Sequence, residues 1–241
     1  IGAVSYDITA VVDPFLTGTA TTGTGLAANA IENDVFINTT TTPLKVIYTI
    51  TPNGTNGCIG NAQTVELTVR PEPVIDPALD NTVCSNNVNS INIANIILGT
   101  NGTSVGANTY ELRGVTVPGT ITADAGNTVV GSIGGINLIR NDKYTNTTNA
   151  PVVVVYEIRA TSADGCEGQS EFINLTINPE PIMVPGLANL CSGVPSGIIV
   201  GPDAGSATIT SFEMKKIVKP GGLIADGDNA GVVEAVADGG G

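Results

Sequence analysis

The residues of this chain whose type and spacing could do chemistry are its four cysteines, Cys58, Cys84, Cys166 and Cys191. The sequence has no His and no C-x-x-C pair, so a zinc site lacks its usual ligands. The same absence removes the common general base and the Ser-His-Asp arrangement. What remains for the thiols is disulfide formation, which belongs to an oxidising, extracytoplasmic setting. Carboxylates could still pair as in glycosidases. However, Asp124, Asp164 and Asp226 fall in turn sequences, where an aspartate usually bonds its own backbone. Asp226-Gly227-Asp228-Asn229 looks like the opening of a calcium loop but lacks the distal Glu. Five N-x-S/T sequons, at Asn38, Asn53, Asn101, Asn146 and Asn174, are frequent by composition in a chain this rich in Asn and Thr. The expectation is a non-catalytic protein with no catalytic, cofactor or metal residues.

The elements that position the cysteines repeat. Pro43 to Pro73 reads PLKVIYTITPNGTNGCIGNAQTVELTVRPEP, and Pro151 to Pro181 reads PVVVVYEIRATSADGCEGQSEFINLTINPEP. The two align without a gap at an offset of 108, with twelve of 31 positions identical. Solenoid units are shorter, about 20 to 50 residues; a period near 100 matches a whole domain. Three repeats follow: 1–72 as the C-terminal part of a first, 73–180 as a complete second, and 181–241 as the N-terminal part of a third. Within the second, β-rich runs between turn signals predict strands at Val74–Ile75, Ile91–Leu98, Tyr110–Val117, Gly119–Ala123, Thr128–Ile133, Ile136–Ile139, Val152–Ala160 and Glu171–Asn178. Short strands at this spacing, with no helical period, predict an all-β chain of immunoglobulin-like antiparallel sandwiches arranged end to end. Pro71 and Pro73, and again Pro179 and Pro181, bracket one Glu each and form short, stiff domain linkers.

Strand direction suggests the disulfide partners. The last strand of the first repeat, about Gln63 to Arg70, runs toward the junction, which places Cys58 about 26 Å from it. Cys166 occupies the equivalent hairpin loop of the second repeat, at the end that receives the chain. If Pro77 and Asp80-Asn81 turn the intervening segment, Cys84 stays at that end too. The expected structural disulfide is then Cys84–Cys166, worth on the order of 4 kcal/mol by chain entropy. Cys58 and Cys191 would find partners outside the chain. The local alternative is Cys58–Cys84 with Cys166–Cys191.

Composition narrows the partners. A net charge of −13 with nine basic residues leaves no cluster to neutralise phosphates, which excludes nucleic acid and disfavours anionic membranes. No apolar run is long enough to insert in a bilayer. Divalent cations or neutral polymers such as glycans are the partners this charge tolerates, with a surface or glycan ligand left open. The repeat architecture points to neighbouring repeats of the same chain or other copies in a fibre.

The cadence of tyrosine strand, Gly-Cys-x-Gly (57–60 and 165–168), Leu-Thr strand, Pro-Glu-Pro, and Val83-Cys84-Ser85 or Leu190-Cys191-Ser192 shortly after, resembles a known family. These are the PKD-like, immunoglobulin-like tandem repeats of giant Bacteroidetes cell-surface adhesins of the gliding-motility SprB type. Asn38-Thr39-Thr40 and Asn146-Thr147-Thr148 fit its Asn-Thr stretch. The resemblance implies secretion through the type IX system, display on the cell surface as long filaments, and adhesion or gliding. It points to a structural stalk. The alternatives are a glycan-binding module or an accessory domain of a secreted enzyme.

Overall fold

A computed structural model of the chain describes residues 2–85, 96–212, 217–219 and 234–236. Val, Ile, Thr and Tyr at alternating positions favour extended, half-buried backbone, and among the described residues every regular element longer than three residues is a strand. The first repeat carries β1 (Ser5–Val12), β2 (Gly23–Leu26), β3 (Leu44–Asn53) and β4 (Gln63–Val69). They form one antiparallel sheet in the order β2-β1-β3-β4.

The second repeat begins with β5 (Asn81–Cys84) and β6 (Ala107–Thr116), followed by the short strands β7 (Thr122–Ala123), β8 (Ile133–Gly134) and β9 (Tyr144–Thr145). Two long strands, β10 (Val152–Ser162) and β11 (Glu167–Asn178), complete it. The main sheet has the order β5-β11-β10-β6-β8, and β7 pairs with β9. β10 and β11 therefore repeat β3 and β4, and β6 repeats β1. β5 is the addition: it lies parallel to β11, in register from Leu175 opposite Asn81 to Asn178 opposite Cys84. The inward positions of the sheet, Val154, Tyr156, Ile158, Ile173, Leu175 and Ile177, are buried. They pack with Ile75, Ile96 and Leu98 from the N-terminal segment. At about 1.5–3 kcal/mol for each fully buried large aliphatic side chain, this layer supplies most of the stability.

Backbone contacts separate Ile1–Glu180 from Pro181–Gly241. In the latter, Met183 and Pro202 form an isolated bridge, and β12 (Ile217–Lys219) pairs in parallel with β13 (Glu234–Val236). Residues 182–207 reproduce the hydrogen bonds of 74–105. Val74 N–H donates to Ser104 Oγ, and Ile182 N–H to Ser206 Oγ. Asp76 donates to the Gly99 carbonyl and Asn101 to that of Val74; Val184 donates to Gly201 and Asp203 to Ile182. The same front segment is thus built twice.

The all-β immunoglobulin-like class is as the sequence predicts, and the predicted strands at Tyr110, Val152 and Glu171 coincide with β6, β10 and β11. Five expectations need correction. Of Gly119–Ala123 only Thr122–Ala123 is a strand. Thr128–Ile133 and Ile136–Ile139 are mainly turns, held by Asp142 as described below. Val74–Ile75 contributes only a single bridge, Ile75 to Thr100. Asn81–Cys84, which reads as the end of a turn, is a strand. The front of Ile91–Leu98, and the Asp226–Asn229 segment, lie outside the described residues.

Candidate functional site: the junction between repeats

An Asn-x-Thr triplet precedes each long tyrosine strand, and its side chains act on backbone. Asn38 Nδ2 donates to the carbonyls of Thr42 and Val69 at 2.9 and 2.8 Å. Asn146 Nδ2 donates to those of Ala150 and Ile177 at 2.9 and 2.8 Å. Each Oδ1 accepts from the N–H and hydroxyl of the Thr two residues on, Thr40 or Thr148. Both Asn are buried, so these two sequons are structural clasps with their amide nitrogens committed. The clasp then holds the linker. Glu72 N–H donates to the Asn38 carbonyl at 2.8 Å, and Glu180 N–H to that of Asn146 at 2.9 Å.

The linker prolines differ in their surroundings. Pro71 and Pro73 are buried, Pro179 is half-buried and Pro181 is exposed. The Pro73 carbonyl presses against Gly168 so closely that a Cβ there would lie 2.0 Å from the oxygen. Only glycine permits that approach. The Gly-Cys-x-Gly hairpin of the second repeat is therefore the seat of the linker that enters it. At the other end, Ser85 Oγ accepts from Asn146 N–H at 2.7 Å and donates to Glu180 Oε2 at 3.0 Å. Among the described residues no serine bonds the Glu72 carboxylate in that way, and burial pushes its carboxyl above the usual range.

A second repeated device fixes the loop before the clasp. Tyr156 OH donates to Asp142 Oδ2 at 3.1 Å, and Thr128 N–H and hydroxyl both donate to Asp142 Oδ1 at 2.8 Å. Tyr144 OH lies 2.9 Å from Tyr156 OH, and burial pushes both phenols upward. In the first repeat, Tyr48 OH and Thr21 bond Asp34 in the same way. Burial there tends to raise the Asp34 carboxyl, but the hydrogen bonds from Thr21 and Tyr48 outweigh it and hold it low. Asp142 is 2% exposed, and a buried carboxylate needs such partners.

The expected Cys84–Cys166 disulfide is not formed, and all four cysteines are free. Cys84 pairs with Asn178 at one end of β11, while Cys166 sits in the turn that precedes Glu167 at the other. The twelve residues of β11 span about 36 Å at ~3.3 Å each, several times the Cα separation a disulfide bridges. The physical reason is direction: the segment after Pro73 runs down the length of the domain instead of turning back at Pro77. The alternative pairs are not formed either.

Charged side chains on the second sheet pair with one another across strands. Arg159 bridges Glu111 at 3.0 Å and Glu167 at 2.6 Å across neighbouring strands, and the guanidinium holds the Glu111 carboxyl low. That is a cross-strand ion ladder. Among the described residues no group of three or more His, Cys, Asp and Glu is placed to hold a metal, and no helix is long and apolar enough to cross a membrane.

Sequence reasoning missed the clasps and the Asp-Thr-Tyr devices. The signal was present, since Asn33-Asp34 and Asn141-Asp142 recur at the same 108-residue offset.

Two solved structures are similar at low identity. One is protocadherin gamma B2 extracellular cadherin domains 3–6, at 11% identity and a TM-score of 0.27, covering 77% of this chain and 44% of that one. The other is Drosophila N-cadherin EC1–4, at 12% identity and a TM-score of 0.21, covering 73% of this chain and 41% of that one. The chain thus spans less than half the length of either. No curated protein matches. A model of the PKD-like domain matches residues 1–73 and again 81–181; such domains are typically extracellular, non-catalytic modules. The chain belongs to the PKD-like domain family.

Proposed function

We propose that this chain is a structural segment, a stalk or filament, of a long extracellular bacterial surface adhesin. Its nearest partners are the neighbouring repeats. Export by type IX secretion and a role in adhesion or gliding accord with the family resemblance. The observation that carries the reading is the seated linker. Pro71 and Pro73 are buried, the linker amide is bonded to the Asn38 clasp, and the Pro73 carbonyl sits on Gly168. A linker held on both sides transmits force and orientation, as a stalk requires and a tethered binding module does not.

Relaxation of backbone ¹⁵N nuclei tests it. The first and second repeats should report one shared rotational correlation time. Gly168→Val, which displaces the Pro73 carbonyl, should split it into two shorter ones. Independent tumbling of the two repeats in the unaltered chain would overturn the proposal.

A further inference from the structure

The two repeats differ on the outer faces of their sheets. In the second, Glu111 of β6 lies opposite Arg159 of β10. Its carboxylate is covered by the Arg159 and Arg113 guanidinium groups, at 3.0 and 3.3 Å. In the first, Asp7 of β1 lies opposite Thr51 of β3, and Thr9 opposite Thr49. Thr51 thus stands where Arg159 does, and Thr9 follows Asp7 by two residues as Arg113 follows Glu111. In place of the arginines there is a cavity of about 260 Å³, lined by Asp7, Thr9, Thr22, Thr24, Thr49 and Thr51 among others.

The neighbouring strand edge shapes this cavity. Between Tyr6 opposite Leu26 and Ile8 opposite Gly23, β2 carries one residue more than β1. Such a bulge re-aims side chains and is common beside binding sites. Gly25 takes φ +68° there, and its N–H donates to Asp7 Oδ1 at 2.8 Å. Asn53 Nδ2 donates to the same oxygen, also at 2.8 Å. The carboxylate is therefore fixed through one oxygen. Among the described residues nothing bonds Asp7 Oδ2 or the hydroxyls of Thr9, Thr22, Thr24, Thr49 and Thr51. One fixed acceptor and five unengaged hydroxyls line a single cavity.

We propose that this cavity binds one saccharide residue of a neutral glycan. Sugar hydroxyls both donate and accept, which suits a carboxylate oxygen that only accepts and threonine hydroxyls of either sense. An anion would meet the Asp7 charge with no Lys or Arg in the lining. An apolar ligand would strip the hydroxyls of water and return no bonds. A metal ion would find one carboxylate, and no metal-holding group of three acidic, Cys or His residues occurs among the described residues. The volume falls just under the ~300–1,000 Å³ of pockets for drug-sized ligands, so it suits one ring rather than several. No aromatic ring lines it, so affinity rests on hydrogen bonds, with a Kd on the order of 1 mM for a free monosaccharide. Rigid or loose coupling of the repeats does not bear on the cavity, so this inference and the stalk reading fail separately.

The test is a titration of the ¹⁵N-labelled full chain with glucose, galactose, mannose and N-acetylglucosamine, each to about 50 mM, well above the expected Kd. At least one sugar should shift the amides of Thr9, Thr24, Gly25, Thr49 and Thr51 along a saturating curve and leave those of Glu111 and Arg159 in place. Thr51→Arg rebuilds the second repeat's arrangement, a guanidinium over the carboxylate, and should weaken binding by about tenfold or more. Thr49→Val keeps the shape, removes one hydroxyl and should weaken binding roughly three- to tenfold. Amide protection in β1 and β3 confirms that both variants fold. Calcium chloride in place of sugar should shift none of these amides. No saturable shift with any of the sugars, shifts shared equally by the second repeat, a calcium response at the cavity, or full binding by Thr51→Arg would each overturn the proposal.

Discussion

The first and second repeats share three long strands, the Asn clasp and the Asp-Thr-Tyr device, yet their interiors differ. The second has a core cluster of fifteen buried residues and the first has four. The difference among the described residues is the front segment: β5, Ile75, Ile96 and Leu98 cover the second sheet, and nothing within residues 2–72 covers the first in that way. Three strands and their loops set the shape of such a domain, but the cover makes the core. A sheet alone leaves Leu67 at 41% exposure, where the same position in the covered repeat, Leu175, is fully buried.

Substitution of that leucine pair breaks the comparison most sharply. Leu175→Ala should destabilise the second repeat by about 2–5 kcal/mol, whereas Leu67→Ala should cost the first about 0.5 kcal/mol, as exposed positions do. Hydrogen exchange, read separately in β10 and β3, measures both. Equal losses would mean that the first repeat is covered in solution.

Next in size are the clasps, which look alike in both repeats. Asn146→Ala and Asn38→Ala each strip two carbonyls of a donor supplied by a buried side chain, and each should cost roughly 2–3 kcal/mol, measured by the same exchange. A much smaller loss for Asn38 would tie clasp strength to the cover.

Acid should separate the repeats further. The folded-state pKa of Asp34 lies below its ordinary value of 3.8, so its hydrogen bonds stabilise the first repeat above that value. The contribution is lost as pH falls through the depressed pKa. Thermal melts followed through the first repeat should drop in that window, and Asp34→Asn should flatten the drop. Glu72 runs the other way: its raised pKa makes ionisation costly, so Glu72→Gln should stabilise the junction at neutral pH, while Glu180→Gln, which exchanges a charged acceptor of the Ser85 hydroxyl for a neutral one, should not.

The smallest effect belongs to Lys45 and Glu66, paired at 2.6 Å with both side chains about half exposed. Lys45→Ala should cost at most about 1 kcal/mol, and the loss should vanish in high salt. Denaturation at two ionic strengths checks it.

Much of this was legible in the sequence. Tyr48 and Tyr156, with alternating aliphatics around them, mark the central strands because a period of two survives translation into a half-buried sheet. Pro-Glu-Pro marks the junction because proline limits the backbone locally. What escaped depends on direction and on distant partners. Asn81-Thr82-Val83-Cys84 opens with a turn former and becomes a strand only beside β11, and a wrong direction for that segment misplaced Cys84 by the length of the domain. Thr128–Ile133 has strand composition, but Asp142 draws Thr128 into a loop instead. Asn38 and Asn146 read as sequons, since nothing local reveals that each Nδ2 meets a carbonyl 31 residues further along the chain.

The parallel pairing of β5 with β11 has a mechanical consequence. Tension enters the second repeat near Pro73 and leaves through Pro179, so β5 is pulled from its N-terminal end and β11 from its C-terminal end. Parallel strands loaded from opposite ends slide past one another, and the four register pairs from Asn81 to Cys84 must give way together rather than one at a time. A covered repeat therefore behaves under load as a shear clamp.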